Sequence, residues 1–107
     1  MAITKIDDNF AQSPQIRPDE VRQIAEAGYK TIVCARPDNE DPGQPSFAEI
    51  AEVAARFGLK AVHIPVSGPL TEGQLIQFEQ AKAEAEGPIL GYCRAGGRAG
   101  ALYNATL

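Results

Sequence analysis

Pro88-Ile89-Leu90-Gly91-Tyr92-Cys93-Arg94-Ala95-Gly96-Gly97-Arg98 is the stretch that decides the reading of this chain. A short apolar run leads into a glycine-containing turn, and the turn leads into Ala99 to Leu107, a segment compatible with a helix. A strand, a tight turn and a helix in that order build an anion cradle. The glycines let backbone N–H groups converge, and the helix start adds partial positive charge. Arg94 and Arg98 supply forked donors of fixed geometry. A cysteine at the mouth of such a cradle has its thiolate stabilised, and the thiolate is the nucleophile. A buried, inert cysteine beside a glycine turn is the plainer alternative, but two arginines flanking a glycine pair favour the functional one. The candidate site is therefore Cys93 and Arg98 as catalytic pair, with Arg94, Ala95, Gly96, Gly97 and Arg98 as the anion-binding loop.

Outward from this loop the chain alternates strand-like and helix-like segments. Ile3 to Ile6 and Phe10 to Gln12 read as short strands around the turn triplet Asp7-Asp8-Asn9. Pro18 to Ala27 reads as a helix, with Pro18 in its first turn, Asp19 and Glu20 at its positive end and Gly28 as its stop. Lys30 to Ala35 is a β-branched run suited to a buried parallel strand. The loop from Arg36 to Pro45 is too proline-rich for regular structure. Ser46 and Glu49 then form a capping box, and Phe47, Ile50, Val53, Ala54 and Phe57 share one helical face. Lys60 to Val66 is the next strand, and Thr71 with Gln74 caps a helix carrying Leu75, Phe78, Ala81 and Ala85. The order predicts an α/β fold of three layers, a mostly parallel central sheet flanked by helices. Ligands of such sheets sit beyond the C-terminal strand ends. Three loops converge there: Arg36 to Pro45, Ser67 to Leu70, and the cysteine loop.

Residues 1–107 are long enough for one domain with one modest core. No stretch is long enough to span a bilayer, and Met1 to Asp8 lacks the basic start and apolar run of a signal peptide, so a cytoplasmic protein is expected. A net charge of −4 argues against a nucleic-acid surface while leaving room for a small anion in a local cradle. Two cysteines make no disulfide scaffold. With a single His and no ligand-like spacing, neither a metal site nor a cofactor is expected. Arg36 leaves a strand at the site edge, where it either steers an anionic substrate or anchors its loop by pairing with Asp38 or Glu40. Cys34 and His63 read as core residues, with a resolving thiol and a catalytic imidazole as their functional alternatives. The acidic run Asp38 to Asp41 reads as a solvated loop.

Five landmarks in order carry a family resemblance: Ser13-Pro14-Gln15, Ala27-Gly28-Tyr29, Arg36-Pro37-Asp38-Asn39-Glu40, His63-Ile64-Pro65-Val66 and Cys93 to Arg98. They resemble the small bacterial phosphatase-like domain of beta-lactamase hydrolase-like proteins, a family also labelled a sulfur transferase family. The resemblance covers nearly the whole chain. It implies a minimal dual-specificity phosphatase fold, Cys93 as nucleophile, and the loop backbone with Arg98 as anion clamp. Some members are fused to persulfide-handling enzymes, which implies a partner from sulfide metabolism. The family loop usually carries hydroxyls where this chain has Ala95, Gly97 and Ala99. Phosphatases use a hydroxyl just after the arginine to help the cysteine leave, and Tyr92 stands where they usually have His.

Three details favour sulfur transfer over phosphoryl transfer, and Ala99 in place of the hydroxyl after the arginine is the first. Only four residues separate Cys93 from Arg98, the loop length of rhodanese-type sulfurtransferases and one residue shorter than in tyrosine phosphatases. The loop Ser67-Gly68-Pro69-Leu70 also lacks the carboxylate that phosphatases of this kind use to protonate a departing oxygen. The expected activity is accordingly a cysteine-dependent sulfurtransferase. A small anionic sulfur donor such as thiosulfate would load Cys93, and a thiol or cyanide would accept the sulfur. The alternatives are a phosphomonoester hydrolase with a thiophosphoryl-Cys93, its acid drawn from Asp38, Glu40 or Asp41, and an inactive anion-binding or interaction module.

Overall fold

The Asp7 carboxylate shapes the first turn: its Oδ1 accepts from the backbone N–H of Asn9 and Phe10 at 2.8 and 3.0 Å. The turn joins β1 (Thr4–Lys5) to β2 (Phe10–Ser13), which pair antiparallel. This computed structural model describes residues 2–107, so Met1, the start of the segment read for a leader, lies outside the described residues. Three more strands follow: β3 (Thr31–Cys34), β4 (Lys60–His63) and β5 (Ile89–Tyr92). The sheet order is β1-β2-β5-β3-β4, with β2, β5, β3 and β4 all parallel. The last strand is thus threaded between two earlier ones and sits at the sheet centre.

Side chains alternate across the parallel strands and divide the core into two layers. On one face Phe10, Val33, Ile89 and Cys93 pack with Phe78 and Ala81 of α3 (Glu72–Glu84) and with Ala99, Leu102 and Tyr103 of α4 (Gly97–Ala105). On the other, Ala11, Ile32, Cys34, Leu90 and Tyr92 pack with Val21 and Ile24 of α1 (Val21–Glu26) and with Ile50 and Ala54 of α2 (Phe47–Arg56). Strands buried on both faces have to be apolar throughout, which is why β3 and β5 read as continuous apolar runs. The expected three-layer α/β architecture is the one observed.

Local signals act as the sequence predicts, with differences at the edges. Both capping boxes form: Ser46 Oγ accepts from Glu49 N at 3.1 Å, and Thr71 Oγ1 from Gln74 N at 3.2 Å. Pro18 opens a 3₁₀ turn, Pro18–Glu20, ahead of α1 rather than a continuous helix. The strand expected to reach Val66 ends as β4 at His63. Pro65 has no N–H for the ladder, although Ile64 N and Val66 N still bond to the carbonyls of Cys34 and Ala35 at 2.9 and 3.0 Å. Phe57, assigned to the apolar face of α2, is 40% exposed with the Arg22 guanidinium 5.7 Å from its ring centroid. It caps the helix end, where the face has already turned away from the sheet.

Gly91 explains how α4 approaches so closely. A β-carbon there would stand 2.9 Å from the Phe10 ring and 3.0 Å from Ala99 Cβ. Central β5 therefore lets the helix that follows the cysteine loop lie directly on the sheet.

Candidate active site

The loop after β5 is held by both neighbouring strands. Cys93 N donates to the Ser13 carbonyl at 3.3 Å, Gln15 N to the Arg94 carbonyl at 3.3 Å, and Ala35 N to the Tyr92 carbonyl at 2.8 Å. Gly96 takes φ +102°, a conformation that strains a residue bearing a β-carbon, and it caps α4. This geometry turns its N–H back onto the Cys93 sulfur, with N to Sγ 3.0 Å. Cys93 itself is 1% exposed and lies beneath the N-terminus of α4. A sulfur so placed meets a backbone donor and the positive end of a helix at once.

Arg98 lies in the first turn of α4. Its Nη1 donates to Glu40 Oε2 and to the Val66 carbonyl, both at 2.8 Å, and its Nη2 donates to Glu40 Oε1 at 2.9 Å. A guanidinium carries five N–H groups. Glu40 and Val66 engage three of them from the end and one side. The Nε–H and the second Nη2–H remain, parallel along the other side. Glu40 is the main cause of the raised Arg98 pKa, and Cys93 contributes to it as well.

Behind Glu40 stands Arg36, which is only 3% exposed. It donates from Nε to Glu40 Oε1 at 2.8 Å, from Nη2 to Asp41 Oδ2 at 2.6 Å and from Nη1 to Gln15 Oε1 at 2.9 Å. Arg98 and Arg36 together hold the Glu40 carboxyl down to about 2. Arg94 is 69% exposed at the rim, with Nε 3.1 Å from Asp41 Oδ2. The third acidic side chain, Asp38, accepts from Phe47 N at 2.8 Å and tethers the start of α2. The run Asp38 to Asp41 is therefore no solvated loop: three arginines and a helix end bind it.

Cys34 and Cys93 lie on opposite layers of the sheet. Cys34 donates to the Arg36 carbonyl at 3.3 Å, and burial pushes its pKa up. His63 stacks on Phe47 at 4.6 Å between centroids, with Nε2 2.8 Å from the same carbonyl. The Tyr92 hydroxyl is buried near Cys34 and Gln15 without a partner at hydrogen-bonding geometry, and burial raises its pKa.

Sequence reading missed three members of this constellation: Glu40 as the partner of Arg98, Gln15 as a support of Arg36, and the Val66 carbonyl. The signal for Glu40 was its four-residue spacing from Arg36. The other two are tertiary contacts between loops, for which no local pattern exists.

A parallel sheet whose central strand ends in a cysteine loop and a helix, with an arginine of that helix beside the sulfur, is a minimal protein tyrosine phosphatase-like fold. The chain belongs to the family described as beta-lactamase hydrolase-like protein, phosphatase-like domain, whose model matches residues 2–106. It is 38% identical over 104 residues to a beta-lactamase hydrolase-like protein of Agrobacterium fabrum, covering 96% of this chain and 24% of the relative. The chain thus spans about a quarter of the length of the curated relatives it matches. The crystal structure of a phosphatase candidate from Neisseria meningitidis superposes with a TM-score of 0.85 at 39% identity, over 96% of this chain and 74% of that one. Tk-PTP in its active form gives 0.73 at 25% identity, over 98% and 71%.

These comparisons correct the expected activity. The family model is that of a phosphatase-like domain, and the solved relatives are described as a phosphatase candidate and as Tk-PTP in its active form. Sulfur transfer is overturned, and with it the small anionic sulfur donor, the thiol or cyanide acceptor and the sulfide-metabolism partner. The short loop misled because loop length alone does not set the chemistry. With four residues between Cys93 and Arg98, the loop still returns the Gly96 N–H to the sulfur and starts α4 beside it.

Among the described residues, no helix is long and apolar enough to cross a membrane.

Proposed function

We propose that this domain is a cysteine-dependent phosphatase. Cys93 Sγ attacks phosphorus, and the S–P bond forms as the P–O bond to the leaving group breaks. Water then attacks the thiophosphoryl-Cys93, the electron pair returns to sulfur, inorganic phosphate departs and the proton of the water passes to solvent. The N–H groups of Ala95, Gly96 and Gly97 and the start of α4 receive the phosphoryl oxygens. Arg98 clamps two of those oxygens, Arg94 stands at the rim, and Arg36 acts behind the site by holding Glu40.

The observation that carries this reading is the donor arrangement of Arg98. Glu40 and Val66 hold the guanidinium from two sides and leave Nε–H and one Nη2–H as a parallel fork. Such a fork matches two oxygens of a phosphoryl group. Membership of a phosphatase-like family supports the same chemistry.

The test is turnover of 4-nitrophenyl phosphate together with intact mass after rapid acid quench. A gain of one phosphoryl group on Cys93 and phosphate release, both lost in Cys93→Ser, are expected. Phosphate binding without turnover or adduct would make the domain an anion-binding module instead.

A further inference from the structure

Every protonatable side chain at the site edge is already committed. Asp38 accepts from the N–H of Phe47, Glu40 is clamped between Arg36 and Arg98, and Asp41 lies between Arg36 and Arg94. Clamped between two guanidinium groups, the Glu40 carboxyl is held well below the usual carboxylate range and has no proton to give. The oxygens of Asp38 and Asp41 are already taken up by an N–H and by two arginines. His63 has Nε2 against the Arg36 carbonyl and its ring under Phe47, and the Tyr92 hydroxyl is enclosed on the opposite layer from Cys93. The loop Ser67 to Leu70, beside the Val66 carbonyl that binds Arg98, has no acidic residue. A cradle able to hold a phosphoryl group therefore stands, among the described residues, without a proton donor for the leaving oxygen.

We propose that the substrates are phosphoric anhydrides, in which the phosphoryl group is joined to a second phosphate or to a carboxylate. This rests on the phosphatase reading and specifies its substrate class. When Cys93 Sγ attacks, the P–O bond breaks and its electron pair leaves with a phosphate or carboxylate oxygen, which is a stable anion without protonation. An alkoxide from an alkyl ester is not, and needs the acid the site lacks; general acid catalysis is worth about 10²–10⁴-fold. Arg94, exposed on the loop, supplies positive charge for an anion leaving at the rim.

The experiment compares kcat/KM for acetyl phosphate, inorganic pyrophosphate, 4-nitrophenyl phosphate, phenyl phosphate and glycerol phosphate, with Cys93→Ser as the blank for spontaneous hydrolysis. At least one anhydride and the activated aryl ester are expected to exceed phenyl and glycerol phosphate by about 10²-fold or more, the scale of the missing acid. The faster anhydride then identifies the leaving acid. Comparable rates across the series overturn the proposal, because a flat dependence on the leaving group means that an acid is present. Turnover of 4-nitrophenyl phosphate with neither anhydride accepted also overturns it. Glu72, in the first turn of α3, is the nearest carboxylate in sequence after the acid-free loop. Glu72→Gln is expected to leave the profile unchanged, and a selective loss on phenyl phosphate would name Glu72 as the acid and refute the proposal. These outcomes are separable from failure of the phosphatase reading, in which no donor gives a phosphoryl adduct on Cys93 and the proposal falls with it.

Discussion

The carboxylate of Glu40 meets the guanidinium of Arg98 end-on, Oε2 to Nη1 at 2.8 Å and Oε1 to Nη2 at 2.9 Å, across 58 residues of sequence. This pairing orients the arginine without taking the edge that a phosphoryl group would need. It also explains why Glu40 serves as a strut and not as an acid: two arginines keep its proton off.

That relationship has a pH signature. The Glu40 carboxyl is lowered from 4.5 to about 2. A depressed carboxylate contributes stability that is fully present above its unfolded value and is lost as pH falls through its folded value. The Tm difference between wild type and Glu40→Gln should hold constant above about pH 5 and shrink from pH 4.5 toward 2. Thermal melts of both proteins across this range check it. A difference independent of pH would show that the ion pair contributes nothing.

Arg98→Lys should cost about 10²-fold or more in kcat/KM with 4-nitrophenyl phosphate, the scale of losing one preorganised donor. An ammonium is a point charge and cannot hold Glu40 on one side while offering a parallel fork on another. The melt of the variant serves as the control for folding. Retention of activity within tenfold would remove Arg98 from the clamp.

Arg36 is a different case, because its role is structural support from within. Arg36→Leu removes the buried guanidinium that Glu40, Asp41 and Gln15 share, leaving carboxylates that are partly exposed and still paired with Arg98 and Arg94. A loss of about 2 kcal/mol is expected in urea unfolding, between that of an exposed pair and that of a fully buried one, because the arginine is buried and its carboxylate partners are not. A loss below about 1 kcal/mol, the range of exposed ion pairs, would mean that solvent replaces these bonds.

Tyr92→Phe should stabilise the protein. The hydroxyl is buried without a well-placed partner, so its removal relieves a desolvation cost of about 1 kcal/mol. A Tm rise of roughly 4–8 °C would follow at this chain length. A fall of similar size would reveal that Gln15 or Cys34 bonds the hydroxyl in solution.

Gly96→Ala tests the loop backbone. The added β-carbon meets Ser13 at an ordinary 3.5 Å, so the φ of +102° and not crowding sets the cost, about 1–2 kcal/mol. Phosphatase activity should fall further than stability, because the N–H that points at Cys93 Sγ would be re-aimed. Urea unfolding with kinetics on the same preparation separates the two effects.

The sequence alone determined the succession of elements and the position of the cysteine loop. These depend on local physics: apolar runs long enough for buried strands, capping boxes at Ser46 and Thr71, and glycines where the chain must turn. It also marked Cys93 to Arg98 as the candidate anion cradle, because the glycines and arginines that motivate that proposal lie within six adjacent residues. It misjudged what lies between distant loops. The acidic run read as solvated because its partners, Arg94 and Arg98, come from a loop more than fifty residues away. Only the insertion of β5 between β2 and β3 brings that loop beside Arg36 and Gln15. The acid-free Ser67 to Leu70 loop was visible from the start, but whether Asp38, Glu40 or Asp41 stood in for the missing acid was a tertiary question. Arginines occupy Glu40 and Asp41 and the Phe47 N–H occupies Asp38, and such contacts form by distance in space and leave no periodicity in the chain.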